Sequence, residues 1–183
     1  MKRFVAPPLS VLTILVFASL NGCSGVSSKS PDVSDMVRRE LDQAGLKDVT
    51  VSQDRDKGVV TLGGHVAYDA DKSQAESIAK SSAGNQVVAN EIAVVPPGLE
   101  DDSKTVNSDL DKGIEKNLDA ALVMAKLNKS VNRDVKNGVV TLTGDVNSET
   151  KRKLAETIAT NVPHVQQVVN ELEVKNRKAT SSN

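Results

Sequence analysis

The string GVVTLGGHV at 58–66 returns eighty residues later as GVVTLTGDV at 138–146. At that offset 16 of the 38 positions from 58 to 95 are identical without a gap. They include Ala75, Glu76, Ile78 and Ala79 against Ala155, Glu156, Ile158 and Ala159, and Gln86, Val88, Asn90, Glu91 and Val94 against Gln166, Val168, Asn170, Glu171 and Val174. Such a repeat confines the chain to two copies of one unit of roughly 65 residues, a size at which burial is marginal. Upstream the match shifts to seventy-seven, which sets Val37, Leu41, Asp42 and Ala44 on Ile114, Leu118, Asp119 and Ala121. The second copy is therefore expected to carry three extra residues between this segment and the next.

Each copy reads in the same order. Val37, Leu41 and Ala44, like Ile114, Leu118 and Ala121, recur at i, i+4, i+7 and predict an amphipathic first helix. Short strands at 49–52 and 130–133 follow. Turns at Asp56-Lys57-Gly58 and Lys136-Asn137-Gly138 come next, Asn-Gly being a strong hairpin signal. The repeated string is then a second strand, with Val60 and Leu62 on one face, Val59 and Thr61 on the other, and Gly64 or Gly144 marking a bulge or a close backbone approach. Asp69 and Ser148 open a second helix that buries Ala75, Ile78 and Ala79, or Leu154, Ala155, Ile158 and Ala159. A third strand at 88–94 or 168–174 alternates with period two. With Tyr68 the only aromatic beyond the first twenty residues, the cores must be aliphatic. The expected boundaries are 34–95 for the first domain, 96–108 for a Pro-rich, acidic linker, 109–175 for the second domain and 176–183 for a polar tail.

The first 22 residues read as an export signal: Lys2 and Arg3, then an uncharged apolar run at 9–20, too short to span a bilayer as a helix. The only cysteine, Cys23, cannot form an internal disulfide. Leu20-Asn21-Gly22-Cys23 resembles the bacterial lipobox, although Asn21 stands where Ala or Ser is usual. The resemblance implies cleavage before an acylated Cys23, a membrane anchor through that residue, and a polar tether over 23–33. Without Lys2 and Arg3 the mature chain has 21 basic and 24 acidic residues, a net charge of −3. Ser24 after the cysteine implies the outer membrane, with the protein facing the periplasm.

The α-β-β-α-β order, the G-V-V-T-L-x-G-x-V string, the Ala-Glu-x-Ile-Ala helix and the closing V-x-N-E-hydrophobic-x-V strand resemble the BON domain, the bacterial osmotic-stress and nodulation domain. The resemblance implies an α+β fold with two tandem domains, each with two helices packed on a small three-stranded mixed sheet. It also implies a non-enzymatic lipoprotein that supports envelope integrity under osmotic stress. For the lipoprotein branch it implies anionic phospholipid bound through the first helix of the second domain. A periplasmic adaptor or holdase-like protein, binding other envelope proteins with lipid only as a tether, is the alternative.

No nucleophile, base or metal constellation stands out, and no enzyme activity or cofactor is expected. His65 and His164 face Asp145 and Gly84 in the other copy, outside the repeated framework. Gly63-Gly64 lacks the rest of a phosphate loop. Asn90 and Asn170 suit side chains that satisfy nearby backbone. Lys151-Arg152-Lys153 reads as a solvated helix face, and one tyrosine with net negative charge speaks against nucleic acid. The copies part company at the expected insertion. If the first helix of the second copy runs on through Leu127, Val123 and Leu127 lie on its outer face beside Lys116, with Met124 and Lys126 adjacent, a surface suited to anionic lipid or a partner. If the insertion unwinds the helix, Val123, Met124 and Leu127 tuck under a loop instead.

Overall fold

The structure, a computed structural model, describes residues 29–175; the signal segment, Cys23 and the tail at 176–183 lie outside the described residues. The first domain is α1 (Ser34–Gln43), β1 (Val49–Asp54), β2 (Val59–Val66), α2 (Asp69–Ala83), β3 (Val87–Asn90) and β4 (Ala93–Val94). The second is α3 (Glu100–Met124), β5 (Val131–Lys136), β6 (Val139–Val146), α4 (Glu149–Thr160), β7 (Gln167–Asn170) and β8 (Glu173–Val174). β1 pairs antiparallel with β2, and β2 pairs parallel with β3 and β4; β5 to β8 repeat the pattern. The expected third strand holds one register but is interrupted opposite Gly63 and Gly64, so it divides into β3 and β4.

Both helices of a domain cover one sheet face. Val60, Leu62, Ala75 and Ala79 are fully buried against α1, as are Val140, Leu142, Ala155 and Ala159 in the second domain. Alanines at the helix–sheet contact let the elements approach closely and leave the volume to Leu and Ile. Leu154, expected in the core, is 43 % exposed.

The first helix corrects the expected register. Val33, Val37, Leu41 and Leu46 occupy the places held in the second domain by Ile114, Leu118, Leu122 and Leu127. The Leu46 amide donates to the Leu41 carbonyl, and the Leu127 amide to that of Leu122. The offset is thus eighty-one, one helical turn from the seventy-seven of the sequence match. It becomes eighty-two in β1 and β5 (Val49 opposite Gly64, Val131 opposite Gly144) and eighty from β2 onward. The three-residue insertion is therefore absent. The second copy gains one residue between helix and strand and loses two in the hairpin, where Asn137 and Gly138 form a two-residue turn with φ of 48° and 77°.

The larger difference lies upstream. Ser34 corresponds to Glu115, so the fifteen residues 100–114 of α3 have no counterpart in α1. Of the expected linker, 96–99 precedes the helix and 100–108 is helical.

The two sheets meet through the faces their helices leave open. Val59, Ala89, Val139 and Val169 form a separate buried cluster between them, giving four layers in the order helix, sheet, sheet, helix. Lys57 Nζ lies 2.6 Å from Glu171 Oε2 and Lys136 Nζ 3.1 Å from Glu91 Oε2, a pseudo-twofold pair at the seam. Gln167 bridges β7 to β3 with both ends of its amide: Oε1 accepts from the Asn90 amide at 3.0 Å and Nε2 donates to the Val88 carbonyl at 2.6 Å.

Candidate functional site

Asn90 and Asn170 recur because each closes the interruption between the last two strands. Asn90 Nδ2 donates to the Lys72 carbonyl and to Glu76 Oε2, while Oδ1 accepts from the Ile92 amide; Asn170 does the same with Arg152, Glu156 and Leu172. Neither is left to bind a ligand. Asn90→Ala is expected to cost about 1–3 kcal/mol in urea unfolding, with Asn170→Ala at the lower end because water reaches the less buried site.

Charge around this network is used internally. A hydrogen bond from Lys80, at 2.5 Å, holds the Glu76 carboxyl below its ordinary range, and the bond from Asn90 adds to it. Partial burial lowers Lys72, whose ammonium donates to Gln166 Oε1 at 3.2 Å across the domain seam. Lys57 is raised by its hydrogen bond to Glu171. His65 and His164 are exposed.

The expected site at the end of the first helix of the second domain divides. Helix α3 stops at Met124, Ala125 caps it, and Lys126 takes a left-handed φ of 57°. That turn swings Leu127 into the core, where it is 1 % exposed, so Leu127 is not part of an outward surface. Val123 and Met124 remain outside, 52 % and 86 % exposed. Lys116, two turns before Val123, and Lys126 are exposed as well. At the equivalent places in α1 stand Asp42 and Gln43, so the apolar tip belongs to the second domain alone.

Lys129 and Lys151 join this end of the domain, and sequence reasoning missed them as a group because loops bring them together. Val131 pairs with Gly144, which sets the end of α3 beside the end of β6 and the start of α4. Ser130, Asp145, Lys151 and Lys175 line a groove of about 470 Å³ there. Lys175 donates to Asp145 at 2.8 Å and is raised by that bond, whereas Lys116, Lys126, Lys129 and Lys151 form no ion pair among the described residues. The tip thus offers two exposed apolar side chains at the end of α3, with the exposed Lys126 and Lys129 in the turn that follows, Lys116 two turns earlier on the helix, and Lys151 lining the groove beside Ser130.

The sequence model of the BON domain matches residues 30–96 and 110–176, which takes in both folded units except the first ten residues of α3. The chain belongs to the BON-domain family. BON domains are associated with the periplasm and the cell envelope, and the family is generally non-catalytic. This BON-domain chain is similar in structure to CdsD, a structural protein of the type III secretion system of Chlamydia trachomatis, with 14 % identity and a TM-score of 0.35 over 79 % of its own length and 64 % of that chain. A structure of the C-terminal domain of CdsD gives 13 % identity and a TM-score of 0.33, covering 77 % and 66 %. No curated protein matches the sequence. Among the described residues of the BON-domain protein, no helix is long and apolar enough to cross a membrane.

Proposed function

We propose that the protein is a non-enzymatic outer-membrane lipoprotein, acylated at Cys23, whose second BON domain holds anionic phospholipid and so supports envelope integrity under osmotic stress. The single observation that carries the lipid contact is the tip of α3. Val123 and Met124 are exposed at the end of α3, on the end of the domain that also carries the exposed Lys116, Lys126, Lys129 and Lys151, none of them in an ion pair among the described residues. Apolar side chains inserted at the headgroup boundary gain transfer energy, and each lysine near an anionic surface adds about 1 kcal/mol. The lipobox-like Leu20-Asn21-Gly22-Cys23 supports the anchor.

The test is co-sedimentation of residues 24–183, without acyl chains, with phosphatidylglycerol and phosphatidylcholine vesicles. Binding is expected to the anionic vesicles alone and to weaken with salt. Val123→Asp/Met124→Asp should lower it by about tenfold or more, the equivalent of about 1.4 kcal/mol. Equal binding by the variant overturns the site; no binding to either vesicle overturns the lipid reading and favours a protein-binding adaptor.

A further inference from the structure

The segment leading to the anchor is fastened to the first domain. The Ser30 amide donates to the Arg55 carbonyl and Arg55 Nε to the Ser30 carbonyl, both at 2.8 Å. Gln53 and Gln86 each donate a side-chain N–H to the Pro31 carbonyl, at 2.8 and 3.2 Å, and the Val33 amide donates to Gln53 Oε1. Lys29 Nζ lies 3.3 Å from Asp56. Of the tether expected over 23–33, the part from Lys29 onward is therefore strapped to the β1–β2 hairpin. Six Cα–Cα steps separate Cys23 from Lys29, which span at most about 20 Å when fully extended.

The strap also sits at a defined end of the two-domain body. Lys57, in the same hairpin turn, meets Glu171, whose amide donates to the Leu142 carbonyl midway along β6. Lys136, before β6, meets Glu91, whose amide donates to the Leu62 carbonyl midway along β2. These two crossings make β2 and β6 antiparallel across the seam. The start of β2, where the strap lies, and the end of β6, beside which α3 terminates, consequently face the same way. From Leu142 to Val146 the second domain runs four residues further, about 13 Å.

We infer that the apolar tip at Val123 and Met124 engages the same membrane leaflet that holds acylated Cys23, and that the strap favours this by holding the short tether at the end of the body where α3 terminates. The inference rests on the lipid reading above and adds which membrane is bound. The strap turns the tip toward the anchoring surface and keeps it there at high effective concentration. A membrane on the far side of the body would meet the opposite end, where Asn137 and Gly138 turn.

The test uses residues 23–183 coupled through Cys23, the only cysteine, to a maleimide lipid in anionic bilayers. In nanodiscs carrying spin-labelled headgroups, the Met124 methyl and the Lys126 amide should lose most of their NMR intensity while the Gly138 amide keeps its own. Coupled to vesicles, the protein should not cluster added bare anionic vesicles. Inserting about 30 Gly/Ser residues between Ser28 and Lys29, with a root-mean-square span of about 30 Å, should release the restraint and allow clustering. An unbroadened Met124, or clustering with the native tether, overturns the inference. Vesicle binding by untethered 24–183 then tells whether the lipid reading falls with it or stands alone.

Discussion

Leu127→Asp is expected to unfold the second domain, while Val123→Asp, four residues earlier, leaves its stability within about 0.5 kcal/mol of the parent. Leu127 is 1 % exposed and packs among Leu118, Leu122, Val131 and Leu172. Its loss removes a buried aliphatic side chain and places a carboxylate where no cation waits, a cost of at least about 4 kcal/mol. At about 0.05–0.15 kcal/mol per residue a domain of roughly 65 residues holds about 3–10 kcal/mol, so the loss takes a large part or all of it. Val123 is 52 % exposed and its carboxylate would stay hydrated. Urea unfolding followed by circular dichroism on residues 24–183 separates the two. Comparable stability of both variants would mean that Leu127 does not turn inward after Lys126. The contrast also determines which apolar substitutions can probe lipid binding, since those at Val123 and Met124 alter the tip without disturbing the core, whereas one at Leu127 disturbs it.

Gly64→Val should have a second effect of similar size, in the first domain. Gly64 has a φ of +84°, and a Cβ built there would overlap the Asp48 carbonyl oxygen. A β-branched residue in left-handed backbone costs about 1–3 kcal/mol before any clash is counted, and the clash is with backbone that cannot step aside. The expected loss exceeds about 3 kcal/mol. Gly144→Val repeats it in the second domain, where φ is +115° and the Ser130 carbonyl oxygen would lie 2.5 Å from the new carbon. Gly63 is the internal control. Its added Cβ would meet only the Thr50 hydroxyl, which can rotate, and the second copy carries Thr143 at this place. Gly63→Thr is therefore expected to fold, and a Gly64→Val protein with an unchanged urea midpoint would refute the close approach.

The repeat made most of each domain legible. Asn-Gly, the two glycines near the strand ends and the alternation in GVVTL each pin a strand to one register, because a slip of one residue would exchange its faces. The first helix had no such pin. A helix presents nearly the same face after four residues, so matching Val37 and Leu41 to Ile114 and Leu118 looked as good as matching them to Leu118 and Leu122. The one-turn slip creates a three-residue insertion, and continuing the helix through residue 127, without the left-handed turn at Lys126, puts Leu127 on the outside. The helical start at Glu100 was hidden for a different reason. Residues 100–109 contain a single aliphatic side chain, Val106, which is 64 % exposed, so there is no apolar stripe to read. Contact further along holds this stretch of α3 in place: both carboxylate oxygens of Asp111 accept from the Asn137 and Gly138 amides at 2.8 and 2.9 Å.

Local pattern was enough to specify two α-β-β-α-β units, their hairpins, their aliphatic cores and the scaffolding part played by Asn90 and Asn170, since each depends on neighbours within one copy. The relation between the copies depended on tertiary structure. Val59 and Val139 read in sequence as half of a pattern with a polar Thr beside them, and nothing in a strand's alternation says whether water or a second sheet covers that face. The partners that decide it, Lys57 with Glu171 and Gln167 with Asn90, lie 114 and 77 residues apart and come together only when the two sheets pack. That packing sets the strap on the first domain and the tip of the second at one end of the molecule.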